Sequence, residues 1–185
     1  MSLCIDHLYI KTAPAQFFGT MDVDQEGISN IELLNCLFKN DYTRPYIGKV
    51  CALDELPSTR NQNERIYIVN TEDSTMPGEH WVAIYLEGDI GYFFDPMGKE
   101  LEEYDPLIKA FIEENTDCWD ENYPEQYQPD DSDLCGEYCL YFALCMCMGE
   151  PYERLKKHFN LHYLGANDHM IVSAMSTYYD HVVYK

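Results

Sequence analysis

The chain has 185 residues, enough to bury the core of one domain, and 46% of them are hydrophobic with 16 tyrosines, too apolar and aromatic for a disordered acidic chain. With 33 acids against 12 bases and a formal net charge of -21, it lacks the broad basic face that would hold a polyanion, so nucleic acid is not expected as a main partner. Its eight cysteines form no even framework, no apolar run approaches a membrane span, and the opening Met1-Ser2-Leu3-Cys4-Ile5-Asp6 lacks the basic and apolar blocks of a secretory leader, which together predict free thiols in a reducing, intracellular compartment and no membrane partner.

No repeat or low-complexity linker divides the chain, so residues 1–185 read as a single domain. Ser29-Asn30-Ile31-Glu32 has the form of a capping box, and Leu33, Leu34, Leu37 and Phe38 follow at helical spacing, predicting a helix over about 30–39. Short strands are predicted over 47–53 and 65–69. The clearest β signal is His80-Trp-Val-Ala-Ile-Tyr-Leu86, a turn near 87–89, then Gly91-Tyr-Phe-Phe-Asp95, ended by Pro96 and Gly98. Antiparallel partners sum to a nearly constant number, so this hairpin returns residue 80 to the same open end as residue 95.

An amphipathic helix is predicted over 102–115, followed by an acidic loop over 116–134 that contains no base. The run 134–148 is apolar on nearly every face and predicts a central buried helix, with Asp133 as its N-cap and Cys135 in its first turn. Further helices are predicted over 151–159 and 168–182, which closes an α+β domain.

A thiol in the first turn of a helix meets the positive end of the macrodipole and free N–H groups, a setting that stabilises an anion and suits a nucleophile. A histidine beside it would hold the ion pair, and a carboxylate on the far ring nitrogen would fix the tautomer; His80 and Asp95 are offered together by the hairpin. The oxyanion of a tetrahedral intermediate needs donors, which the Cys135 backbone N–H and the neutral amide of Gln128 can supply. Taken singly these signals are weak, since cysteine is a common core residue and Asp before Pro often merely starts a turn. Their ordered combination points to an activated cysteine.

His80-Trp81, Phe94-Asp95-Pro96-x-Gly98, and Gln128 with Cys135-Gly136 resemble the adenovirus maturation protease family, adenain, and its viral and transposon-borne relatives. Phe17-Phe18-Gly19-Thr20-x-Asp22 is similar to that family's opening loop, so the resemblance covers about residues 15–150. It implies a papain-like cysteine protease fold in permuted order, with the nucleophile helix packed on a mainly antiparallel sheet. It further implies a cysteine endopeptidase that processes viral structural precursors at glycine-containing bonds in an infected host cell, with packaging in the virion left open. Cys135 would be the nucleophile, His80 the base, Asp95 its orienter and Gln128 the oxyanion donor, with Trp81 and Gly136 at the substrate. Adenovirus enzymes usually carry Glu where this chain has Asp95, which weakens the subfamily more than the mechanism. The family's DNA cofactor does not carry over to a chain of charge -21. Cys118 lies near the family's activator-linking cysteine, so an activating peptide stays open although the residues require no cofactor.

A zinc site is not expected, because Cys145 and Cys147 point to nearly opposite sides of the helix that also carries Cys135 and Cys139. Two other readings remain: a protease of ubiquitin-like proteins, which uses the same constellation in the SUMO-specific branch, and an inactive binding domain on the same scaffold. The acidic composition adds the expectation of basic, glycine-containing precursor proteins as partners.

Overall fold

The computed structural model describes residues 27–179 and contains helices α1 (Asn30–Lys39), α2 (Pro106–Asn115), α3 (Cys135–Cys147), α4 (Tyr152–Leu155) and α5 (Gly165–Tyr178). Strands β1 (Ile47–Ala52), β2 (Ile66–Asn70), β3 (Trp81–Glu87), β4 (Ile90–Phe94) and β5 (Cys118–Glu121) form one sheet in that order. The architecture is α+β. The sheet is mixed rather than mainly antiparallel: β2–β3 and β3–β4 are antiparallel, whereas β1–β2 and β4–β5 are parallel. Both parallel pairs are joined by long connections, which is what a parallel return requires.

The elements form for local reasons. Ser29 caps α1: its hydroxyl accepts from the Glu32 N–H at 3.4 Å, and the Glu32 carboxylate accepts from the Ser29 N–H at 3.0 Å. The helix expected over 102–115 is interrupted; a 3-10 turn at Leu101–Glu103 precedes α2, which starts at Pro106 with Asp105 accepting from the Leu107 N–H at 2.9 Å. Proline has no N–H to donate inside a helix and its ring strikes the preceding turn, so it serves as a first helical residue instead. The loop expected over 116–134 contains β5, a four-residue edge strand whose acidic sequence gives no apolar alternation to read.

The expected N-cap, Asp133, does not cap α3; Leu134 occupies that position without a side-chain hydrogen bond. The helix expected over 151–159 is shorter, a single α turn continued by a 3-10 turn at Lys156–His158. Helix α5 begins at Gly165 and ends at Tyr178; the end expected at 182 and the Phe17–Asp22 loop lie outside the described residues.

Both faces of the sheet are covered, and alternate strand residues divide between them. Ile66, Ile68, Ala83, Tyr85 and Phe94 pack beneath α1, α3 and α5. Tyr67, Val69, Val82, Ile84, Leu86 and Phe93 pack against α2 residues Ile108, Phe111 and Ile112. Helix α3 is buried from Cys135 to Met146, so its position is fixed on all sides. Among the described residues no helix is long and apolar enough to cross a membrane.

Candidate active site

The hairpin brings the first pair together. Ala83 pairs with Phe94, so His80 just before β3 and Asp95 just after β4 share one end of the sheet. His80 Nε2 lies 2.6 Å from Asp95 Oδ1, and the Asp95 side chain is fully buried. The same carboxylate accepts from the backbone N–H of Met97 at 2.9 Å and of Lys99 at 2.7 Å. It therefore closes its own turn while orienting the imidazole. Gly98 completes that turn with φ 68°, and a Cβ there would stand 2.7 Å from the backbone of Glu125 and Gln126.

Asn122, at the end of β5, escaped the sequence reading. It is 2% exposed; its Oδ1 accepts from the Asp95 N–H at 2.9 Å, and its Nδ2 donates to the Asp95 carbonyl at 2.7 Å and to the Glu125 carbonyl at 2.8 Å. Asn122 thus clamps the backbone of the residue that orients His80. An asparagine in an acidic stretch offers no signal of this without the strand that delivers it. The backbone N–H groups of Tyr127 and Gln128 both donate to the Pro96 carbonyl at 2.9 Å, which ties the Gln128 loop to the Asp95 turn.

Gln128 is 2% exposed, and its Nε2 donates to the Ser132 carbonyl. An amide nitrogen carries two hydrogens, so one stays available for a second acceptor. Cys135 opens α3, and because no side chain caps the helix, the first-turn N–H groups are not consumed by a cap. Cys135, His80, Gln128 and Trp81 line a single cleft of about 890 Å³.

Gly136 is placed differently, buried beside the cleft and absent from its lining. A Cβ there would meet Ile28 Cγ2 at 2.2 Å, Leu33 Cδ2 at 3.2 Å and Trp81 Cδ1 at 3.4 Å. Glycine lets α3 approach Trp81, whose indole N–H donates to the Ile28 carbonyl at 3.2 Å. Gly136→Ala is expected to destabilise the protein by about 1–3 kcal/mol through overpacking; thermal denaturation of the two proteins checks this, and an unchanged midpoint would show that the contact is soft.

Burial opposes the charge on His80, but hydrogen bonds to Asp95 and Cys135 and their charges outweigh it, lifting its pKa to about 9. With Nε2 on Asp95, Nδ1 is the nitrogen left for the sulfur. The other helix thiols differ: burial pushes Cys145 and Cys147 up to about 12, and Cys139, which donates to the Trp81 carbonyl at 3.3 Å, well above the ordinary thiol value. Glu137, in the first turn of α3, is 4% exposed and burial pushes it up to about 7. Cys118 is exposed at the start of β5 and pairs with Ile90, at the far end of β4 from Asp95, so it is not brought to the cleft.

Compared with known proteins, the chain is 31% identical over 118 residues to a protein of Acanthamoeba polyphaga mimivirus named as an inferred thiol protease. This likeness supports a cysteine protease. It covers 57% of this chain and 39% of the mimivirus protein's length. No family model matches the chain.

Proposed function

We propose that this protein is a cysteine endopeptidase that processes viral structural precursors at glycine-containing bonds, with Cys135 as nucleophile, His80 as general base and acid, Asp95 as its orienter and Gln128 as oxyanion donor. The observation that carries the reading is the 2.6 Å contact of buried Asp95 with His80, which lines the same cleft as a cysteine at the start of a buried helix. The viral part rests on the motif resemblance and the mimivirus relative, and the glycine-directed part on the motif resemblance alone.

In the first half-reaction the Cys135 sulfur attacks the scissile carbonyl carbon, and the π-bond electrons move onto oxygen. The Cys135 N–H and the free amide hydrogen of Gln128 would hold that oxyanion. When the tetrahedral intermediate collapses, the C–N bond breaks, and the amine leaves with the proton from His80 Nδ1. This yields a thioester and neutral imidazole. Water then attacks the thioester, giving its proton to His80, and the thiolate leaves as the carboxylic acid product forms.

The test needs no substrate. Limiting iodoacetamide at about pH 6 should label Cys135 in the wild type and fail to do so in His80→Ala, because the imidazolium no longer supports the anion. Peptide mapping reads the site. The buried thiols compete poorly, since burial raises Cys36 to about 11 and Cys51 to about 12. Labelling confined to surface thiols such as Cys118, with Cys135 inert in both proteins, would favour a binding domain over an enzyme.

A further inference from the structure

The cleft that holds Cys135 has a charge of its own. Six of its lining side chains are acidic (Glu55, Glu72, Asp73, Glu79, Asp130 and Asp133), against two basic ones, Lys99 and His80. They come from two segments of the chain: Glu72, Asp73 and Glu79 precede His80, whereas Asp130 and Asp133 lie between Gln128 and Cys135. Three of the six have work elsewhere. Glu55 accepts from the Ala52 N–H at 3.2 Å, Asp73 from Thr75 at 2.6 Å and 2.8 Å, and Asp130 from Gln126 Nε2 at 2.7 Å. The carboxylates of Glu72, Glu79 and Asp133 have no hydrogen bond or ion pair among the described residues, whereas Asp41, Glu87, Glu102, Glu150 and Glu153, away from the cleft, each meet a Lys or Arg. A second observation points to a ligand in the same place: among the described residues Gln128, 2% exposed and lining this cleft, has no partner for its amide oxygen and keeps one amide hydrogen to spare.

We infer that Glu72, Glu79 and Asp133 select substrates carrying Lys or Arg side chains close to the cleaved bond. The inference rests on the peptidase reading and names the substrate class of that same site. Glu79 adjoins His80 and Asp133 is two residues from Cys135, so a charge they contact belongs to a residue near the scissile carbonyl; an extended peptide rises about 3.3 Å per residue, which limits the preference to roughly three residues on either side. Like-charge repulsion excludes acidic residues from the same stretch, so the acids discriminate by rejection as well as by attraction. The net charge of -21 would draw in basic proteins over a long range without choosing a bond; the carboxylates of Glu72, Glu79 and Asp133 in the cleft choose the position.

The experiment digests a synthetic peptide library of randomised sequences with the full chain, its Cys135→Ser variant and a triple variant Glu72→Gln, Glu79→Gln, Asp133→Asn, reading the cleaved bonds by mass spectrometry. None of the three carboxylates hydrogen-bonds to His80 or Asp95, and all are at least partly exposed, so the triple variant should fold. Cleavage that disappears in Cys135→Ser, is enriched in Lys or Arg within three residues of the bond, and loses that enrichment in the triple variant with KM for a basic peptide raised about tenfold at unchanged kcat supports the inference. Cysteine-dependent cleavage with no basic enrichment overturns it and leaves the peptidase reading standing. Absence of any Cys135-dependent cleavage overturns both. Equal enrichment in the wild type and the triple variant overturns the assignment to these three carboxylates.

Discussion

Asp95→Ala is expected to lower kcat/KM by about 10³-fold or more and to destabilise the fold by about 3–5 kcal/mol. Both effects come from one buried group. The carboxylate orients His80 at 2.6 Å and accepts from the N–H groups of Met97 at 2.9 Å and Lys99 at 2.7 Å, so alanine leaves the imidazole without its partner and two turn donors unmatched. Asp95→Asn separates the roles. Its oxygen can still face His80 and the Met97 N–H, but its amide nitrogen would confront the Lys99 N–H donor to donor. Asparagine should therefore keep more activity than alanine while still losing stability. Chemical denaturation and peptide kinetics on both variants check this, and an alanine variant as stable as the wild type would show that the turn holds without the Asp95 carboxylate.

Peptidase activity is expected to fall about tenfold per pH unit above pH 9, as His80 loses the proton that the leaving amine needs. The same residue makes stability depend on pH. Its pKa is about 9 in the folded protein against an ordinary value of 6.5, so its contribution is complete below pH 6.5 and is lost as pH rises through 9. The amount is on the order of 3 kcal/mol. Thermal denaturation of the wild type and His80→Gln at pH 6 and pH 9.5 reads it as a gap between the two proteins that closes at the higher pH. The raised value of Glu137, about 7, makes stability fall between pH 4.5 and 7, but it is present in both proteins and cancels in the comparison. A gap of equal size at both values would mean that His80 is not held charged.

The residues of the site were legible wherever a short local rule places a side chain. The hairpin over 80–95 is such a case: alternating β-formers around a tight turn determine the register, and the register determines that His80 and Asp95 meet. The buried helix behind Cys135 is another, because apolar residues on every face leave it no place but the core. The Ser29 capping box fixed the start of α1 for the same reason, two side chains satisfying donors three residues apart.

Apart from helix ends such as Pro106, where a local breaker set the start of α2, the failures lie where the determining partner is distant in sequence. Strand β5 is acidic and four residues long; it is a strand because β4 offers it a parallel edge, a fact recorded nowhere in its own residues. Asn122 follows from that strand, since only the β4–β5 pairing delivers its amide to both sides of the Asp95 backbone. Gly136 shows the same dependence, its missing Cβ being explained by Ile28 and Trp81 across the packing. By itself, then, the sequence determined most of the local elements, the place of Cys135 at the start of a buried helix and the meeting of His80 with Asp95, because hydrophobic period and turn chemistry act over a few residues. Only the tertiary structure decided the mixed sheet, the clamp behind Asp95 and the acidic lining of the cleft, because each is a contact between segments that no local spacing relates.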